Sequence, residues 1–186
     1  RDVYWLLGKL NMVQKLLELE LKSAGDGPKA PLLLLELGDV ACDGGDYDRA
    51  AQAYARALTA SRGGLEEASE CLEDAQVEAS TWSARVALLV EAAGARPAAA
   101  ARLLTRAARI ARRHSPQDVG PLLTRAYLAD PTDRQVAALF EGIVAETGDT
   151  AALHSTQEQA LAALGDSARA KVAFLFGVRW ALRHAN

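Results

Sequence analysis

Apolar residues recur at three- and four-residue steps along most of the chain. Residues 3–23 show the pattern clearly, with Leu6, Leu10, Val13 and Leu17 spaced in this way. Such spacing places apolar side chains on one face of an α-helix, whereas a half-buried strand would alternate apolar and polar residues. We find no segment with a convincing strand pattern. The chain is therefore predicted to be all helical.

Glycine and proline residues interrupt this periodicity and divide the chain into helical segments. Gly44-Gly45-Asp46, Gly94-Ala95-Arg96 and Thr147-Gly148-Asp149 each separate two segments of similar length. Because the connections are short, neighbouring helices are expected to run antiparallel. The predicted helices are 3–23, 30–42, 47–61, 65–79, 82–93 (which could continue from 65–79), 97–114, 118–129, 132–146, 150–164 and 167–184.

The composition supports this interpretation. Of the 186 residues, 39 are alanine and only 5% are aromatic. Alanine and leucine are good helix formers, and the scarcity of β-branched and aromatic residues argues against a β-sandwich or barrel. The regular recurrence of glycine-containing turns between helices of similar length also predicts helical hairpins stacked in an array.

Residues 31–64 resemble a tetratricopeptide repeat, a helix-turn-helix unit of 34 residues. Small residues stand where the two helices must approach closely, and larger ones stand where helices pack. The matching positions are Leu34, Leu37, Gly38 and Ala41 in the first helix, Gly45, Asp46 and Tyr47 at the turn, and Ala50, Tyr54 and Ala57 in the second helix.

A weaker copy of the unit follows at 81–114, with divergent hairpins at 117–164 and a terminal helix at 167–184. The resemblance implies one domain over 1–186, a right-handed α-solenoid of about four hairpins. The chain starts at Arg1 rather than Met and ends inside a helical pattern, which suggests a piece of a longer protein.

In the tetratricopeptide family the first helices line a concave groove that receives peptides or helices of partner proteins. The resemblance implies a mostly apolar groove here, suited to an amphipathic helix. An alternative is that the same side chains pack against neighbouring helices. The residues assigned to the groove are Leu32, Leu35, Asp39, Cys42, Asp43, Trp82, Arg85 and Leu89.

Four arginines form a basic stripe along one predicted helix: Arg102, Arg106, Arg109 and Arg113. The stripe could bind an acidic protein, phosphate or RNA, or it could be a solvated helix face. It could also be neutralised by the acidic segment 66–78, within the chain or across a dimer. The net charge of −3 and the lack of aromatic side chains beside the stripe argue against a nucleic-acid partner.

The sequence offers little chemistry of other kinds. Cys42 and Cys71 are expected to be core residues, although a disulfide stays open. We expect no metal site, because two cysteines and three scattered histidines provide too few ligands. We also expect no cofactor and no catalytic group, since no Ser, His and acid grouping that would support nucleophilic catalysis is evident. No apolar run has the length of a membrane span, and a cytoplasmic location is favoured.

The function predicted from the sequence is that of a non-catalytic scaffold or adaptor that binds another protein. The alternative is self-association, or docking onto another domain of the same polypeptide, because uncapped repeats leave apolar faces exposed.

Overall fold

The computed structural model describes residues 1–184, and over this range the chain is helical and contains no strand. The all-α prediction is therefore confirmed. Two short 3₁₀ helices, Pro97–Ala99 and Pro116–Asp118, lead into the helices that follow them. The α-helices are α1 (Asp2–Leu6), α2 (Leu10–Ala24), α3 (Ala30–Asp43), α4 (Tyr47–Ala60), α5 (Glu66–Ala75), α6 (Trp82–Ala95), α7 (Ala100–His114), α8 (Val119–Ala129), α9 (Arg134–Thr147), α10 (Thr150–Leu164) and α11 (Ala168–His184).

The helix starts are fixed by aspartate caps at three of the turns. The Asp46 carboxylate accepts a hydrogen bond from the Arg49 amide at 3.1 Å. Asp133 accepts one from the Gln135 amide at 2.8 Å, and Asp149 accepts one from the Ala152 amide. Each carboxylate satisfies an amide that the first helical turn leaves without a partner.

Two predicted segments differ from the structure. The prediction of a single helix over 3–23 is wrong, because residues 7–9 separate α1 from α2. Gly8 adopts a φ of +64° there, a left-handed conformation that ends the first helix. The segment 65–79 ends earlier than expected, at Ala75, and residues 76–81 separate α5 from α6.

Consecutive helices pack against each other, with the exception of α5 and α6. Helix α5 packs instead between α4 and α7. The buried apolar residues form three clusters along the chain, one for α1–α4, one for α3–α5 and one for α6–α11. The first helix also contacts α9, and Arg179 of α11 donates hydrogen bonds to the carbonyl oxygen of Leu6 and to Glu141 of α9. Helices from both ends of the described chain therefore meet at α9.

Candidate functional site

The residues assigned to the concave groove do not lie together on one surface. Leu35 and Leu89 are buried, and they belong to different apolar clusters. Trp82 is half-buried and stacks on the ring of His114, with the two ring centres 5.9 Å apart. Cys42 is also buried. These four side chains pack against neighbouring helices, which was the alternative left open by the sequence.

The charged residues assigned to the groove bind groups inside the protein. The Nε atom of Arg85 lies 2.7 Å from Oδ1 of Asp74. Asp39 accepts hydrogen bonds from Arg109 at 2.8 Å and from the Tyr54 hydroxyl at 2.9 Å. These side chains therefore hold helices together.

Leu32 is the exception, because 55% of its surface is exposed. It lies beside Leu19, which is 61% exposed, in a groove of about 690 Å³ between α2 and α3. Charged side chains stand around this groove, and Arg1 bridges two of them, Glu20 at 3.0 Å and Glu36. The surface therefore combines exposed leucines with a charged edge.

The first half of the basic stripe contacts the acidic segment. Arg102 lies 2.9 Å from Glu67, and its side chain is 55% exposed. Arg106 is almost fully buried, and its Nε atom donates to Oδ2 of Asp74 at 2.5 Å. Arg106 also binds Glu70. The acidic helix α5 thus neutralises this part of the stripe within the chain.

The second half of the stripe reaches α3. The Nε atom of Arg109 donates to Oδ1 of Asp43 at 2.7 Å, and its Nη1 atom donates to Asp39. The Asp43 side chain has no exposed surface, and that of Arg109 is 11% exposed. Arg113 donates to the carbonyl oxygen of Ala75 at 3.0 Å.

The electrostatics of Arg109 and its partners follow from burial and pairing. Burial opposes the positive charge of Arg109, but Asp39 and Asp43 hold its pKa well above the ordinary value. Burial raises the pKa of Asp39, while Arg109 works against that rise. Burial also raises the pKa of Tyr54, whose hydroxyl donates to Asp39. Because the ions compensate each other, the interior tolerates them.

Two contacts at Asp43 were not anticipated from the sequence. The Gln135 side chain of α9 donates to Oδ2 of Asp43 at 3.1 Å. Arg112 donates to the carbonyl oxygen of Asp43 at 3.1 Å and also binds Glu146. The i, i+4 spacing of Asp39 and Asp43 was the available signal, because it places two carboxylates on one face of α3.

A cleft of about 520 Å³ opens beside this cluster, between α1, α3, α9 and α11. Its carboxylates already have partners within the chain. Glu36 binds Arg1, Asp39 binds Arg109, and Asp133 caps α9. The cleft is therefore lined by groups that stabilise the fold.

Among the side chains that the structure describes, no grouping of three or more His, Cys, Asp or Glu could hold a metal ion. Within residues 1–184, every helix is too short or too polar to cross a bilayer.

The chain was compared with protein-family models, with curated proteins and with solved structures, and it matches none of them.

Both thiols are predicted to be unreactive in the folded protein. Cys42 and Cys71 are buried and unpaired, and burial raises the pKa of Cys42 to about 11 and that of Cys71 further. Because the thiolate is the nucleophile, Ellman's reagent at pH 8 should react only at the rate of unfolding. Both thiols should react promptly in concentrated urea. A fast reaction of either thiol without denaturant would contradict the burial described here.

Proposed function

We propose that this chain is a non-catalytic protein-interaction module, a right-handed superhelix of tetratricopeptide-like hairpins that binds a peptide or amphipathic helix of a partner. The hairpin of α3 and α4 and the hairpin of α6 and α7 support this architecture, because each pairs neighbouring helices over a short turn. The apolar groove between α2 and α3 supports the binding role.

The main support for the binding role is the exposure of Leu19 and Leu32 in that groove. The arginines of the basic stripe bind groups within the protein, whereas these two leucines face solvent beside a cavity of about 690 Å³. Exposed apolar side chains that are grouped and edged by charge are typical of protein-binding surfaces. An apolar anchor residue of the partner would occupy the space between the leucines.

Replacing Leu32 by glutamate is expected to reduce partner capture by about tenfold or more, since burying a leucine contributes about 1.5–3 kcal/mol. The measurement is affinity capture with the full chain as bait, followed by quantitative mass spectrometry. Leu88→Glu is the matched control, because Leu88 is 59% exposed on α6, outside the groove.

The proposal is supported if a protein captured by the unaltered chain is lost with Leu32→Glu and kept with Leu88→Glu. Equal capture by all three chains would show that the groove does not bind the partner. Far-ultraviolet circular dichroism of both variants confirms that the helices are intact.

A further inference from the structure

Helix α1 depends on other helices for its structure. It has five residues, whereas an isolated helix shorter than about 12 residues is marginal in water. Of the side chains that the structure describes in α1, only Trp5 is buried. The position of α1 is therefore determined by a small number of tertiary contacts rather than by its own hydrogen bonds.

The contacts of α1 lie on two sides of the fold. On one side, Trp5 packs in the α1–α4 cluster, and Arg1 pairs with carboxylates of α2 and α3. On the other side, α1 packs against α9, and Arg179 of α11 donates to the carbonyl oxygen of Leu6. This carbonyl lies at the end of α1, where a helix provides no partner of its own. Helix α1 therefore bridges the first and the last helices of the described chain.

Three features of this bridge favour its release. The Nε atom of Arg179 is buried and has no hydrogen-bond acceptor among the described residues, and a buried donor of this kind destabilises the closed arrangement. Trp5 and Leu6 line the cleft of about 520 Å³, so α1 lacks close packing on that side. Residues 7–9 connect α1 to α2, and Gly8 has open space around its Cβ position and a φ of +64°. The connection is therefore free of side-chain contacts that would oppose a change of direction at Gly8.

We propose that α1 is a strap, which closes the fold between α2–α3 and α9–α11 and detaches as a unit while the other helices stay folded. Release removes Trp5 and Leu6 from the wall of the cleft and uncovers the apolar side chains of α2 and α3 that Trp5 contacts. The strap thus controls access to the cleft. This inference does not depend on the binding role proposed for the groove at Leu32.

Amide hydrogen exchange of the full chain, followed by NMR at neutral pH, tests whether α1 opens as a unit. The amides of Leu7, Gly8 and Lys9 report on the strap, because each donates to a carbonyl oxygen within α1. We expect these three amides to share one protection factor. That factor should be at least about tenfold lower than the protection factors of amides in α2 and α9, since a locally opening unit exchanges before the core.

A double variant, Arg179→Met with Glu141→Met, tests what holds the strap. Arg179 donates to both carboxylate oxygens of Glu141, at 2.6 and 2.5 Å, so replacing both residues avoids leaving either charge without its partner. The variant lacks the guanidinium that binds the Leu6 carbonyl. We expect the protection of the three strap amides to fall about tenfold, and that of amides in α2 and α9 to stay unchanged.

Arg169→Met is the matched control on the same helix. Arg169 pairs with Asp130, but its side chain is 57% exposed and it has no contact with α1 among those described. This variant should leave the exchange of the strap amides unchanged. Urea unfolding followed by circular dichroism shows that both variants fold, and the exchange of the unaltered chain decides by itself whether α1 opens as a unit.

The proposal is wrong if the strap amides are as protected as those of α2, because α1 would then be an integral part of the fold. It is also wrong if protection falls steadily from Lys9 to Trp5, since such a gradient indicates fraying of a helix end. Unchanged protection in the double variant would show that Arg179 does not hold the strap. Equal losses of protection in α1 and α9 would show that α1 does not detach by itself.

Discussion

Replacing Arg109 by methionine is expected to lower the free energy of unfolding by about 3–5 kcal/mol. Arg109 is the counter-ion of Asp43, whose side chain has no exposed surface, and of Asp39. Without the guanidinium, two carboxylates would remain in the interior without their main counter-charge. Urea unfolding at neutral pH, followed by circular dichroism, measures the loss.

Arg102→Met is the matched control on the same helix. Arg102 also pairs with a carboxylate, Glu67, but its side chain is 55% exposed. Exposed ion pairs contribute about 0–1 kcal/mol, so this variant should unfold almost like the parent chain. Arg109→Lys should fall between the two variants, because it keeps the charge and loses the fork that spans both aspartates. If Arg102→Met and Arg109→Met lowered the free energy of unfolding equally, Arg109 would not be the counter-ion on which the buried carboxylates depend.

Gly38→Ala is expected to destabilise the protein by about 3 kcal/mol, because it overpacks the interface of α3 and α4. A Cβ atom at position 38 would lie 2.3 Å from Cε1 of Tyr54. Tyr54 is 1% exposed, and its hydroxyl donates to Asp39 and lies 3.6 Å from Sγ of Cys42. The ring therefore has little freedom to move away.

Gly142→Ala is the same chemical change as Gly38→Ala, but we expect it to stabilise the protein. Gly142 lies inside α9, and a Cβ atom there meets nothing within 4 Å. Alanine at an exposed helical position is favoured over glycine by about 0.5–1 kcal/mol, so the variant should be more stable than the parent. Thermal and urea unfolding of both variants measure the contrast. If Gly38→Ala left the stability unchanged, the interface of α3 and α4 would have space for a methyl group that the structure does not show.

The close helix approach at Gly38 could be predicted from the sequence. The resemblance of 31–64 to a tetratricopeptide repeat required a small residue there, and the Tyr54 ring leaves no room for a Cβ atom at position 38. Tyr54, one of the larger residues of the repeat, packs against Gly38 within the same hairpin. Helix positions were predictable for a related reason, since periodicity and capping act over a few residues.

The partners of the basic stripe could not be predicted in the same way. Periodicity shows that Arg106 and Arg109 share a helix face. The spacing of the arginines is the same whether that face meets solvent or carboxylates, so the sequence does not distinguish the two cases. The Arg109 contact to Asp39 joins residues 70 positions apart, so it depends on how distant helices stack. Leu32 and Leu35 show the same limit, because both are leucines of α3 and yet one is exposed and the other buried.

Asp43 links three helices, since Arg109 of α7 and Gln135 of α9 both donate to its carboxylate. These contacts close loops of 66 and 92 residues. An extended repeat array unfolds by fraying from its ends, because each unit contacts only its neighbours. Here, losing α9 would also remove a hydrogen bond from α3. We therefore expect amides in α3, α7 and α9 to exchange hydrogen with a common opening energy, as one cooperative unit.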